Sequence, residues 1–255
     1  MRALVAIAAT TFREAIRDRV LASLFFVAAL LLGASLAAEE ITIGDQAKVI
    51  RGLALGGISL SASVMAMFLG VGLVWRELEQ RTIQTVATRP ISRTTFVLGK
   101  YTGLVVTLAA LVAGMLLLYL VLIGTHLGTP HPSLAGYAVL LAVDLMLLTA
   151  WATFFSTFAG PTMATVFTLS TFVIGHLADD IHRFGEQAAT AGVHGVAGVL
   201  YWVLPNFQVL DVQAQAAHEV PVPLDHVLRA GGYGLGYTFL VLLAAVLVFE
   251  RRDLN

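Results

Sequence analysis

The chain contains no cysteine. Disulfides, thiolate metal sites, iron–sulfur clusters and cysteine nucleophiles are therefore excluded, and the chain can face an oxidising compartment without thiol chemistry. Charge is scarce as well. Only 12% of the residues are charged and 58% are hydrophobic, whereas a soluble domain carries about a quarter charged residues. That deficit excludes an ordinary water-soluble globule and points to a bilayer. The net charge of −1 is silent on nucleic acid and acidic partners, so the distribution of charge has to carry the argument. There is no G-x-S-x-G and no H-E-x-x-H, which removes two hydrolase signatures. A nucleotide loop is missing too. In the single Gly-Lys pair, Gly99-Lys100, Thr94 stands where the earlier glycine belongs and Tyr101 replaces the Ser or Thr that binds magnesium.

What is present is a series of apolar runs. About twenty apolar residues cross a membrane as a helix. Six segments meet that need: residues 20–38, 53–74, 102–124, 134–158, 162–178 and 232–249. The expected fold is all-α and polytopic, one transmembrane domain over residues 1–255. Lys and Arg set its orientation. With a cytoplasmic N-terminus, the inner side collects Arg2, Arg13, Arg17, Arg19, Arg76, Arg81, Arg89, Arg93, Lys100, Arg251 and Arg252. The outer side then holds only Lys48, Arg51, Arg183 and Arg229. Both termini are thus expected in the cytoplasm. Ser35-Leu36-Ala37 looks like a cleavage site, but the run before it exceeds the 7–15 residues of a signal core, so a retained first span is expected.

Residues 2–19 form a separate element. Val5, Ala8, Phe12 and Ile16 recur at helical spacing opposite Arg13, Glu14, Arg17 and Asp18, which suits a helix lying in the inner interface. On the outer side the long connection 179–231 contains an apolar patch, 196–207, closed by Pro205. It is too short to span and reads as an interfacial helix with Tyr201 and Trp202 at headgroup level.

The remaining charge is concentrated between spans two and three, in the coupling region 76–100. Glu77, Glu79, Arg81, Arg89 and Arg93 cannot enter hydrocarbon, so this segment lies along or below the inner surface. Ile83, Val86 and Ala87 give a short helix one apolar side, Pro90 disfavours helix at Arg89, and Ser92 can cap a new helix running through Lys100. The product is a helix–break–helix elbow, to be weighed against an ordinary solvated loop.

The run Glu77-x-Glu79-x-Arg81-Thr82-Ile83, then Thr88-Arg89-Pro90-Ile91-Ser92-Arg93 and Gly99-Lys100, resembles the coupling-helix region of type-2 ABC transporter permeases. Thr11-Phe12-Arg13-Glu14-Ala15 resembles that family's N-terminal connecting helix. Leu204-Pro205-Asn206-Phe207 resembles the motif before the last span, and Glu250-Arg251-Arg252-Asp253-Leu254 its charged ending. The sequence looks closest to the branch containing the permease of the nitrous oxide reductase maturation transporter. The resemblance implies an exporting half-transporter whose ATP and magnesium are held by two separate ATPase subunits. Partners implied are those subunits, a second permease chain, membrane lipid and a candidate periplasmic protein, with no nucleic acid. It assigns ATPase coupling to Glu77, Glu79, Arg81, Thr82, Arg89, Pro90, Ile91, Ser92, Arg93 and Lys100. No catalytic residue and no cofactor are expected in this chain itself.

Two further sets of residues stand out. Asp144 lies near the middle of span four, where a carboxylate costs about 2.5–3.5 kcal/mol on insertion scales. It serves either a structural hydrogen bond or the translocation path. All seven histidines fall on the expected outer side, and His176, Asp179, Asp180 and His182 have the ligand chemistry of a zinc or copper site; the plainer reading is that outer loops collect polar residues. Gly52 and Gly56, and Gly232 and Gly236, have the spacing that permits close helix approach. The rival functions are an ATP-independent carrier or assembly factor, and an intramembrane enzyme.

Overall fold

A computed structural model describes residues 2–37, 45–79, 93–127, 132–187 and 191–251. Among these, the regular elements are helical. In chain order they are α1 Arg2–Ile16, α2 Arg19–Ala37, α3 Gln46–Glu79, α4 Arg93–Leu127, α5 Ser133–Phe158, α6 Pro161–His176, α7 Ala178–Gln187, α8 Ala191–Val203, α9 Gln213–Ala217 and α10 Leu224–Arg251. A 3₁₀ turn, Phe207–Val209, precedes α9.

Five helices, α2, α3, α4, α5 and α10, are long and apolar enough to cross a membrane. The chain is a multi-pass membrane protein by that measure. The fifth expected span departs from the pattern. It is α6, whose 16 residues cover about 24 Å at 1.5 Å per residue, short of a hydrocarbon core about 30 Å thick. A 65° bend then leads into α7, whose first turn carries Asp179 and Asp180. Only if this broken pair counts as one span does the number reach six. The chain ends that span where carboxylates, which hydrocarbon would reject, begin.

α3 and α5 form the centre of the bundle. Leu140, Leu147 and Leu148 on α5 and Leu55, Ile58 and Met65 on α3 are fully enclosed. Close approach depends on small residues: a Cβ on Gly70 of α3 would sit 2.4 Å from Ala152 Cβ on α5, and one on Gly234 of α10 would sit 2.4 Å from Val143 of α5. Such contacts let backbones approach and gain dispersion energy where lipid offers no hydrophobic drive. The peripheral helices expose apolar side chains instead, among them Phe26, Leu117 and Phe239, because a bilayer-facing surface is solvated by lipid tails.

α1 ends three residues before its expected limit. Asp18 Oδ1 accepts the Val20 N–H at 2.9 Å, so the aspartate caps α2 and separates the two helices. Against the rest of the protein α1 packs through small residues. Thr11 and Ala15 are buried, whereas Val5 and Ile16 lie 64% and 49% exposed. The small residues decide this: α1 sits on α4 where Gly99 and Gly103 leave room. A Cβ on Gly99 would meet Ile7 at 3.0 Å, and one on Gly103 would meet the Ala8 carbonyl at 2.7 Å. The bulkier Val5 and Ile16 are left facing outward, while Ala8 and Phe12 between them are half-buried.

Candidate functional site

Two regions, at opposite ends of the bundle, carry the polar chemistry. At the connector end, α3 and α4 are both far longer than the bilayer needs. Their 34 and 35 residues amount to about 51 and 52 Å of helix. α3 therefore carries Glu77 and Glu79 on its last turns, and α4 opens at Arg93. Arg81, Thr82, Arg89, Pro90, Ile91 and Ser92, and the expected break at Pro90, lie outside the described residues. Lys100 is buried, 8% exposed, and its ammonium lies 5.6 Å from the centroid of the Phe96 ring. It is therefore enclosed within the helical stem that follows the connector. Thr94 Oγ1 donates to Glu250 Oε1 at 2.9 Å, tying the start of α4 to the charged end of α10.

At the other end, the segment between α8 and α9 does not lie flat on an interface. It plugs the bundle. Phe207 has no exposed surface, and Leu210 and Val212 are almost as enclosed. Phe207 lies against Gly175 of α6, where a Cβ would come within 2.4 Å of its ring and 2.6 Å of the Pro205 carbonyl. The His176 imidazole stacks on the same ring at 5.2 Å and 13°. Hydrogen bonds fix the turn around it. The Asn206 N–H donates to Tyr233 Oη at 2.9 Å, Asn206 Nδ2 to Asp179 Oδ1 at 2.6 Å, and the Asp179 N–H to Gln208 Oε1 at 3.2 Å. Tyr237 Oη donates to the Val203 carbonyl at 2.6 Å. Of the helix expected over 196–207, the part up to Val203 is helical, in α8, and the chain turns inward as a plug from Leu204 onward. Pro205 stops the helix, and the apolar Phe207 finds its partners inside the bundle.

Asp144 lies beneath this plug. It is 6% exposed, and its Oδ1 has no hydrogen-bond partner among the described residues. With Ser59 of α3, Tyr137 of α5, His176 of α6 and Asp211 of the plug it lines a cavity of about 10 Å³, roughly the room one water molecule needs. Tyr137 Oη donates to the Leu55 carbonyl at 2.8 Å, joining α5 to α3 beside the cavity. Asp144 therefore faces protein rather than lipid.

The four candidate metal ligands do not converge. His176 Nδ1 lies 3.0 Å from the Phe172 carbonyl, Asp179 is held by Asn206, and His182 stacks on Tyr201 at 4.4 Å with Glu186 3.4 Å away. Among the described residues no three His, Asp or Glu side chains are placed to hold a metal ion. The glycine pairs also serve differently from a simple helix-packing stripe. Gln213 of α9 lies over Gly52 and Gly56, donating from Nε2 to the Gly52 carbonyl at 3.2 Å, while Cβ atoms on Gly232 and Gly236 would meet nothing within 4 Å. The pair the reading missed, Gly99 and Gly103, has the same spacing and seats α1. No family model matches the chain, and no curated protein matches it significantly.

Proposed function

We propose that the chain is the membrane subunit of an ATP-driven transporter of the type-2 ABC permease kind, moving its cargo with the aid of a separate ATPase. Two such chains form the path in this reading, in the inner membrane of a bacterium with both termini in the cytoplasm. The residues at 76–100 receive the ATPase's motion: Glu77, Arg81, Arg89 and Arg93 make the principal contacts, and Pro90 sets the angle of the elbow.

The observation that supports this best is the length of α3 and α4. Each continues unbroken for more than 30 residues and delivers the charged connector well beyond the hydrocarbon. A helix transmits a tilt along its whole length because bending it strains successive backbone hydrogen bonds. α3 also lies at the centre of the bundle, so motion at its end reaches the buried Asp144 cavity. The α1 clamp on Gly99 and Gly103 stiffens the start of α4.

The reading is tested by co-expressing the chain with an ABC ATPase from the same genome. A stable complex with stimulated ATP hydrolysis is the expected outcome. In that complex Arg81→Glu or Arg89→Glu should abolish the stimulation while leaving membrane insertion intact. Failure of any ATPase to copurify, or full stimulation in both variants, removes the proposal.

A further inference from the structure

At the connector end a cleft of about 140 Å³ opens between α1, the start of α2, and the neighbouring stretches of α3 and α4. It is smaller than the roughly 300–1,000 Å³ of sites for drug-sized ligands, so a slender occupant suits it better than a bulky one. Its lining is divided. Leu21, Leu69 and Leu104 form an apolar interior beside Phe68, which is 57% exposed. Glu14, Asp18 and Lys100 supply the charge. Asp18 is held in place by its bond to the Val20 N–H, Lys100 is enclosed against Phe96, and Glu14 is exposed. The exposed Arg17 and Arg19 flank Asp18 in the sequence.

We infer that this cleft is a binding site for a phospholipid with a primary-ammonium headgroup, of the phosphatidylethanolamine kind. An acyl chain is the ordinary occupant of an apolar cleft open to a bilayer. The charges select the headgroup. The exposed Glu14 carboxylate favours a cation, and a primary ammonium offers it N–H donors for charge-assisted hydrogen bonds, which are shorter and stronger than neutral ones. A choline headgroup has no N–H to give. A glycerol headgroup brings the same phosphate but no cation for Glu14. The phosphate meets the exposed Arg17 or Arg19, which suit phosphate oxygens. A lipid so placed touches α1, α2, α3 and α4 together and steadies the spacing of the two helices that carry the connector. The inference needs only that the chain lies in a membrane, so it stands or falls separately from the transport proposal.

The test uses the purified full chain, equilibrated with equal amounts of phosphatidylethanolamine, phosphatidylcholine and phosphatidylglycerol and then stripped by mild detergent. Retained lipid is counted by native mass spectrometry. Wild type should retain phosphatidylethanolamine on the order of tenfold over each of the others, the effect of one charge-assisted hydrogen bond. Glu14→Gln should erase most of that preference, and Glu14→Lys should turn it toward phosphatidylglycerol. Because Glu14 is at the surface, neither change should lower the melting temperature. Phe68→Ala should reduce retention of all three lipids alike. Equal retention by wild type, or an unchanged preference in Glu14→Gln and Glu14→Lys, overturns the inference.

Discussion

At the connector end the packing is helix on helix: α1 against α4 at Gly99 and Gly103. At the other end the chain folds back into the bundle, and an irregular segment is enclosed among α3, α5, α6, α7 and α10. Irregular backbone inside a membrane protein must have its polar groups satisfied by protein; here Tyr233 accepts the Asn206 N–H and Tyr237 donates to the Val203 carbonyl, while Asp179 and Gln208 tie α7 to the plug through side chains. The difference teaches where rigidity comes from. The connector end is stiff because its helices are continuous, whereas the plug is stiff because one aromatic ring and a few hydrogen bonds leave it no alternative.

That contrast can be broken most severely at Phe207. Phe207→Ala removes a fully enclosed ring and should cost about 3–5 kcal/mol, measured by thermal or denaturant unfolding of the purified protein. A loss below about 1 kcal/mol would mean that the plug is an ornament on a bundle that stands without it. A paired glycine experiment sharpens the same comparison. Gly175→Val and Gly103→Val introduce clashes of similar severity, at 2.4 and 2.7 Å, each expected to cost about 1–3 kcal/mol. The first should loosen the whole bundle. The second should release α1 alone, seen as faster amide exchange confined to residues 2–16 while the remaining helices stay protected. Gly236→Val, with nothing within 4 Å of its Cβ, is the control that should leave the chain's own fold unchanged.

Smaller effects test the buried carboxylate. Asp144 Oδ1 makes no hydrogen bond among the described residues, so Asp144→Leu, of similar size, should change stability by no more than about 1 kcal/mol in either direction. If transport falls while stability holds, Asp144 belongs to the path; a loss of stability with no specific change in transport assigns it to structure. The smallest effect is expected at Asp45. Its carboxyl is held below the ordinary carboxylate value first by the hydrogen bond from Lys48 and then by that residue's charge. Any stabilisation is therefore present above the ordinary value and fades as the pH falls through the lowered one. The pair is solvent-exposed, where water and salt screen it, so Asp45→Asn should shift the melting temperature by less than the error of the measurement.

Much of the helical frame was legible because membrane insertion depends on composition and length. The runs at 20–38, 53–74, 102–124, 134–158 and 232–249 each fall largely within one helix of the structure. The run at 162–178 was harder, since Leu177 and Ala178 are as apolar as their neighbours and only Asp179 and Asp180 betray the bend. Asp144 was visible as a carboxylate in an apolar run. Its neighbours were not, because Ser59, His176 and Asp211 come from separate elements and no spacing connects them. The burial of Phe207 was hidden for a similar reason: an apolar residue beside a proline fits an interfacial helix as readily as a plug. Gly99 and Gly103 carried a signal in their spacing, although nothing in the sequence said that α1 would be the partner.

The amino-acid order alone determined that this chain enters a membrane, and which apolar stretches its spanning helices contain, because hydrocarbon excludes charge and unbonded peptide groups whatever the surroundings. Which glycines touch, which face of α1 is covered and what lies over Asp144 were decided only by the tertiary structure. Those depend on distances between segments remote in the chain, and local preference cannot express them.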